Sequence, residues 1–362
     1  MNEIHPDNQA VRSEIAQTQT PNPEPHNLKQ LPPPHIHWLR RILWGLLAVI
    51  LAVILVFAVG YMRFSWQTGA LLWPAKVLPY PVAMIGSHWL SYLDYQNDVP
   101  NIIQYLERNE TPDASAKRGM PLDVYARKII LNKMVGEDII NRLAKVKNIV
   151  INQSDIDNTY KDYIAQAGGN QSEIENYIRT LYNWSVAQFK QKLIRPQVVQ
   201  NKIAEAYFAE IKKQTEDLRG AVAREPNKFS ETAKTQSSDA SAAKGGLLEV
   251  MNTASLKTAY GEVASAIETL KVGDVSQVLE TSRGYEIVYL EKREAAAKQS
   301  DGEMFTLRRI LKTPNFSVWL QDQVNAEIKK NRVILFEPRF RWEADCGILT
   351  KTEPSCTAAA QN

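Results

Sequence analysis

The side chains best suited to proton transfer or nucleophilic attack are few in this chain and lie far from its middle. The five histidines, His5, His26, His35, His37 and His88, all fall in the first quarter, and the two cysteines, Cys346 and Cys356, fall near the last residue. No Walker loop, dinucleotide-binding glycine pattern or nucleophile elbow occurs. His35 and His37 make at most a weak metal-binding pair, and two cysteines without a nearby histidine are no zinc site. No metal and no cofactor is therefore expected. The cysteines either close a small disulfide loop or remain two free thiols in a polar tail. What residues 229–313 offer instead is carboxylate, hydroxyl and guanidinium groups: Ser238 and Asp239 in SSDASAAKGG, Glu286 in TSRGYEIVYL, and Arg309 in FTLRRILKT. Histidine- or thiol-dependent chemistry is excluded there by composition.

The elements that carry these residues follow from pattern. Phe229 to Lys234 is a short helix piece, and SSDASAAKGG is a small, polar, glycine-ended stretch that favours turns and caps. Leu247 to Met251 predicts a brief strand. Over Ala259 to Leu270, the spacing of Val263, Ile267 and Leu270 puts them on one helix face, and Gly273 stops that helix. Val278 to Thr281, the turn Ser282-Arg283-Gly284, and Tyr285 to Glu291 read as a hairpin whose second strand is partly apolar on both faces.

This order, with SSDASAAKGG, LKVGDVS and TSRGYEIVYL, resembles the parvulin family of peptidyl-prolyl cis-trans isomerases (rotamases) over about sixty residues. The family's motifs place a Cys or Asp where Ala240 stands and histidines where Glu286 and Arg309 stand. The resemblance thus implies a catalytic site at Ala240, Glu286 and Arg309 whose reactive types are exchanged, and a peptide-binding face formed by Ser238, Asp239, Val263, Ile267, Leu270, Arg309 and Glu286. Arg309 and Glu286 either pair where two histidines would sit or stand as separate surface charges; Val263, Ile267 and Leu270 either line a pocket or are simple core. Phe305 to Thr313 either supplies the family's missing first strand in permuted order or is an ordinary trailing strand. An X-Pro bond isomerises over a barrier of about 18–20 kcal/mol without any covalent bond breaking, so catalysis consists of binding the twisted amide best. Enzymatic turnover is therefore left open, and a binding chaperone or envelope scaffold is the competing reading.

Ile42 to Met62, ILWGLLAVILAVILVFAVGYM, carries no charge and predicts a transmembrane helix, with Trp38, Trp44, Tyr61 and Trp66 as interfacial anchors. Arg40 and Arg41 favour a cytoplasmic amino terminus, which places the folded domains outside the cytoplasm as a single-pass protein of the cytoplasmic membrane. Residues 1–41, with PNPEP and LPPPH, read as a disordered cytoplasmic tail, and 63–81, with Pro74, Pro79 and Pro81, as a stalk. From Val82 to Phe208 the periodicity is helical: Leu131, Val135, Ile139, Leu143 and Val146 form a stripe, and Ser154, Ser172 with Glu175, and Ser185 with Gln188 mark helix starts. Asp155 and Asp157 read as caps, and Pro196 should kink or split the segment from Val186 to Ile211.

PVAMIGSHWLSY and the helices after it resemble the opening of SurA-type and PrsA-type exported chaperones. That resemblance implies unfolded or proline-containing exported polypeptides as partners. A net charge of +3 over 362 residues is no nucleic-acid footprint. The expected fold class is α+β: a single transmembrane helix (42–62), a helical SurA-N-like chaperone domain (82–212), and a parvulin-like domain of a small antiparallel sheet with flanking helices (213–313). A helix and strand over 314–340 return to the helical domain, and 341–362 is a tail.

Overall fold

The computed structural model describes residues 36–64, 80–111, 114, 118–297 and 302–356. The expected tail before residue 36, the stalk over 65–79 with Trp66, Pro74 and Pro79, and residues 357–362 lie outside them. The chain divides into two compact units, residues 1–56 and 57–362.

Helix α1 (Ile36–Phe64) covers the apolar stretch. Among the described residues, however, no helix is long and apolar enough to cross a membrane. The transmembrane helix expected over 42–62 is thus corrected, and the cytoplasmic-membrane localisation built on it falls with it.

The second unit is α+β. It opens with the hairpin of β1 (Pro81–Ile85) and β2 (His88–Ser91), followed by α2 (Tyr92–Asn109), α3 (Leu122–Val146), α4 (Gln153–Gln166) and α5 (Gln171–Tyr182). The α3 stripe is buried at Leu131, Val135, Ile139 and Leu143, whereas Val146, read as its continuation, is 63% exposed. Ser185 and Gln188 form the capping box their spacing predicts, at the head of α6 (Val186–Phe189). Elsewhere asparagine takes the cap: α4 begins after Asn152, whose N–H donates to the Asp155 carboxylate at 2.8 Å, and α5 begins after Asn170. Asparagine at a cap is as good as serine, so the helices start earlier than Ser154 and Ser172 suggest. Pro196 does break the long segment. A π-helical turn (Lys190–Ile194) precedes α7 (Arg195–Arg224), and Pro196, which has no N–H to give, sits in the first turn of α7.

Helix α7 is 30 residues long and serves two cores. Near its start, Val198 packs with Ile156, Tyr160, Ile178, Trp184 and Phe189, and Val199 and Ile203 pack with Leu143 and Ala144. Near its end, Leu218 and Val222 pack beneath a four-stranded sheet with Phe229 and Ala233 of α8 (Phe229–Gln236). That sheet comprises β3 (Met251–Asn252), β4 (Leu279–Thr281), β5 (Gly284–Ala295) and β6 (Glu303–Lys312) in the order β3-β6-β5-β4, antiparallel throughout. Its other face carries α9 (Thr253–Tyr260) and α10 (Ala264–Glu268), whose Leu256, Ala264 and Ile267 bury Val288, Leu290, Phe305 and Leu307. The single helix predicted over 259–270 is split, because Gly261 at φ 56° ends α9. Strand β6, the last of these four in chain order, lies inside the sheet. FTLRRILKT therefore does not trail at the sheet's edge: it fills the gap between β3 and β5.

Beyond β6, α11 (Phe316–Lys330) lays Phe316, Trp319 and Leu320 on the α3–α7 core, and β7 (Val333–Leu335) pairs antiparallel with β1. Residues read as a polar tail form a second hairpin, β8 (Phe340–Glu343) and β9 (Gly347–Thr350), with Phe340 and Ile348 buried and Cys346 bonded to Cys356. The strands were missed because FRWE and GILT are too short for a period to show. Glu337, buried where the chain crosses from β7 to β8, accepts from Tyr95 Oη at 3.1 Å and from Arg339 Nε and Nη2 at 2.8 and 3.2 Å. Removing one partner of such a pair leaves the other charge uncompensated. Glu337→Ala is accordingly expected to cost roughly 3 kcal/mol, read as a shift of the urea unfolding midpoint.

Candidate functional site

Alternation along β5 puts Glu286, Val288 and Leu290 on one face of the sheet and Ile287 and Tyr289 on the other. Val288 stands opposite Arg309 of β6, and Glu286 opposite Leu311, so Glu286 and Arg309 share a face and meet on the diagonal. The Glu286 side chain is fully buried, and Arg309 Nη1 lies 3.5 Å from its Oε2. The reading of the two as separate surface charges is excluded. Two further donors converge on the same carboxylate from the β4–β5 turn: Thr281 Oγ1 at 2.6 Å and Arg283 Nε at 2.8 Å, both on Oε1.

Arg309 has a second and closer partner. Its Nη2 and Nε donate to Asp239 Oδ2 at 2.5 and 3.1 Å, and Ser241 Oγ donates to the same oxygen at 2.5 Å. Burial by itself raises the Asp239 carboxyl, but the hydrogen bonds from Ser241 and Arg309, with the Arg309 charge and the Ala240 amide, hold it below the usual carboxylate range. Asp239 and Glu286 thus face Arg283 and Arg309, two charges against two. The group is neutral as a whole, as a buried ionic cluster must nearly be.

Tyr260 closes it from α9. The Arg283 guanidinium lies 5.1 Å over the Tyr260 ring, and Arg283 Nη1 donates to Ala259 O at 3.2 Å. The Tyr260 hydroxyl is buried and makes no hydrogen bond of normal geometry, although Arg309 is within reach of it. Burial and the Glu286 charge push it up to about 12, against the opposing pull of Arg309 and Arg283.

The loop that delivers Asp239 is sewn to β6. Ser238 N donates to Leu311 O at 2.7 Å, Leu311 N to Ser237 Oγ at 3.0 Å, and Arg309 N to Gly246 O at 2.8 Å. Arg308, on the opposite face, donates to the carbonyls of Lys244 and Gly245 at 3.2 and 3.0 Å while paired with Glu291. Neighbouring arginines therefore clamp one loop from the two faces of the sheet. Gly245 and Gly246 adopt φ 64° and 77°, and a Cβ on Gly246 would lie 2.4 Å from Arg309 O.

The structure brings together Asp239, Glu286 and Arg309 of the expected site. Ser238 and Ala240 are exposed on the turn beside them. Ile267 is fully buried core, with Val263 and Leu270 packed half-buried against it, so none of the three lines an open pocket. Thr281, Arg283, Ser241 and Tyr260 escaped the sequence reading. A charged residue in a three-residue turn reads as solvated, and only its folded direction shows otherwise. Beside the same turn lies a hollow of about 330 Å³ lined by Phe208, Tyr285, Thr313, Pro314, Thr281 and Arg283. A larger cleft, about 440 Å³, lies between α3, the start of α7 and Val324 of α11.

Residues 193–292 match the rotamase family, the PPIC-type PPIASE domain. The chain therefore carries a parvulin-type domain, as the resemblance implied. Solved structures similar to it include PrsA from Bacillus subtilis, 19% identical over 60% of this chain and 80% of that one, with a TM-score of 0.18. Foldase protein PrsA from Lactococcus lactis is 12% identical over 70% of this chain and 94% of its own, with a TM-score of 0.26. PrsA from Streptococcus pneumoniae is 14% identical over 67% and 84%, with a TM-score of 0.19. At these scores the structural likeness carries no argument about function. No curated protein matches the chain.

Two outcomes follow. Gly246→Ala, forced into the left-handed region against a carbonyl, should lose at least about 1–2 kcal/mol, measured by urea unfolding. The depressed Asp239 carboxyl contributes stability that is complete above its unfolded value, about 3.9, and is lost as pH falls through the lower folded value. Asp239→Asn should therefore flatten the acid limb of a plot of stability against pH below about 4, leaving the neutral limb parallel to that of the parent.

Proposed function

We propose that this protein is a parvulin-type folding factor that binds unfolded, proline-containing polypeptide at the hairpin end of its sheet and holds it without accelerating isomerisation. The observation that carries this reading is the commitment of Arg309 to Asp239 and Glu286. Catalysis of a twist about an amide needs donors that strengthen as the carbonyl and nitrogen change, and one well-placed donor is worth about 2.7–4 kcal/mol. Arg309 occupies a place where the family's motif has histidine. Freeing its guanidinium would strand a fully buried Glu286, and breaking such a pair costs about 3–5 kcal/mol. Gain and cost cancel, so the donor stays where it is.

Binding makes no such demand. The hollow beside the β4–β5 turn offers the rings of Phe208 and Tyr285 with Pro314, surfaces on which a proline ring or an aromatic side chain packs. Phe208 is itself 39% exposed.

Two measurements test the proposal on the full chain. A protease-coupled assay on proline-containing peptides should show the uncatalysed rate, within about twofold, and a chemically unfolded client diluted into buffer should aggregate less in the protein's presence. Acceleration of tenfold or more, about 1.4 kcal/mol of barrier, would overturn the first half of the reading. Undiminished aggregation would overturn the second.

A further inference from the structure

The β8–β9 hairpin brings together three groups that are scattered in the sequence reading. The sulfurs of Cys346 and Cys356 and a carboxylate oxygen of Glu343 all lie within 4.8 Å of one another, and all three residues are half-buried. From sequence alone the cysteines lack a third ligand. The hairpin supplies one, because Glu343 ends β8 and Cys346 N donates back to Glu343 O across the turn at 3.2 Å.

We propose that, with its disulfide reduced, this loop is a binding site for a thiophilic divalent cation such as Zn²⁺, held by Cys346, Cys356 and Glu343 with one position left to water. Thiolate and carboxylate donors suit that ion, and three protein ligands with an open fourth position is a recurrent arrangement for it. The Cα atoms of the two cysteines are 6.2 Å apart, toward the wide end of the usual disulfide range, which reaches about 6.8 Å. Small rotations at Cβ therefore suffice to part the sulfurs and admit an ion.

The loop stays closed without the bridge, so the ligands remain in reach. Glu353 is paired with Lys128 of α3 at 2.6 Å and accepts from Thr350 N at 2.6 Å. Arg341 donates to the carbonyls of Thr350 and Glu353 at 2.6 and 2.7 Å, and Ile348 N donates to Asn132 Oδ1 at 3.3 Å. Cys356 follows shortly after Glu353 on this anchored strand end. Glu343 is also prepared: Ser355 Oγ and Cys356 N donate to Oε2 at 2.9 and 3.2 Å, and Arg341 Nε donates to Oε1 at 3.0 Å. Outer hydrogen bonds of this kind orient a ligating carboxylate.

The chemistry balances. A cellular dithiol reductant gives two electrons and two protons to the Cys346–Cys356 bond and becomes a disulfide itself, and the cation then displaces the two thiol protons.

The test uses the full chain, reduced with a phosphine, which becomes the phosphine oxide by taking oxygen from water while the sulfurs take the protons. Co²⁺ alone is then titrated in. One equivalent should produce a thiolate-to-cobalt charge-transfer absorption that Zn²⁺ abolishes, and the unreduced chain should produce none. Cys356→Ser should lose the absorption, and Glu343→Gln should weaken Co²⁺ affinity by about tenfold or more. Far-ultraviolet circular dichroism should not change on reduction. A reduced chain with no charge-transfer band, a band that survives Cys356→Ser, an affinity untouched by Glu343→Gln, or unfolding on reduction would each overturn the site. None of these readouts depends on polypeptide binding.

Discussion

A carboxylate with no exposure to water governs the hairpin end of the sheet. Glu286 points into the core face of β5, between the sheet and α9, where an isolated charge would cost several kcal/mol. Two guanidiniums meet it, Arg283 from the turn and Arg309 from β6. Their surplus charge requires Asp239, and Asp239 requires the Ser237–Gly246 loop to lie flat along β6. That close approach in turn admits only glycine at Gly246. Each of these residues is thus the reason for the next, and the group behaves as one unit.

The same coupling separates scaffold from chemistry. The glycine-ended loop, α8 to α10 and most of β3 to β5 fall within residues 193–292, which match the PPIC-type PPIASE domain, and β6 lies beyond them. The groups at the hairpin end of the sheet are charges locked to one another. Guanidiniums so committed to carboxylates are not free to donate elsewhere. Shape and donor supply are separable properties of one fold.

Much of this was legible in the residues. The alternation of GYEIVYL located Glu286, the glycine pair after SSDASAAK located the loop, and FTLRRILKT read as a strand whose place in the sheet stayed open until the pairing showed it. What escaped had physical reasons. Tyr260 ends an amphipathic helix and reads as core until its hydroxyl is seen to face two arginines. Arg283 sits in a turn, where side-chain direction depends on backbone angles that no periodicity encodes. The helix predicted over 259–270 broke at Gly261, and the β8–β9 hairpin has strands too short for a period. The apolar run Ile42–Met62 was read as a span from its length, its lack of charge and its flanking aromatics, but among the described residues no helix is long and apolar enough to cross a membrane.

The pairing of β7 with β1 has a consequence for how the chain is made. Strand β1 leaves the ribosome well before its outer neighbour, Val333–Leu335. The four-stranded sheet is complete as soon as Lys312 has emerged, since every strand in it is contiguous between residues 251 and 312. Vectorial synthesis therefore lets the later body mature first, while Pro81–Ile85 waits with one edge open, a template for any other extended segment nearby. Only when β7 has followed β6 out is that edge covered.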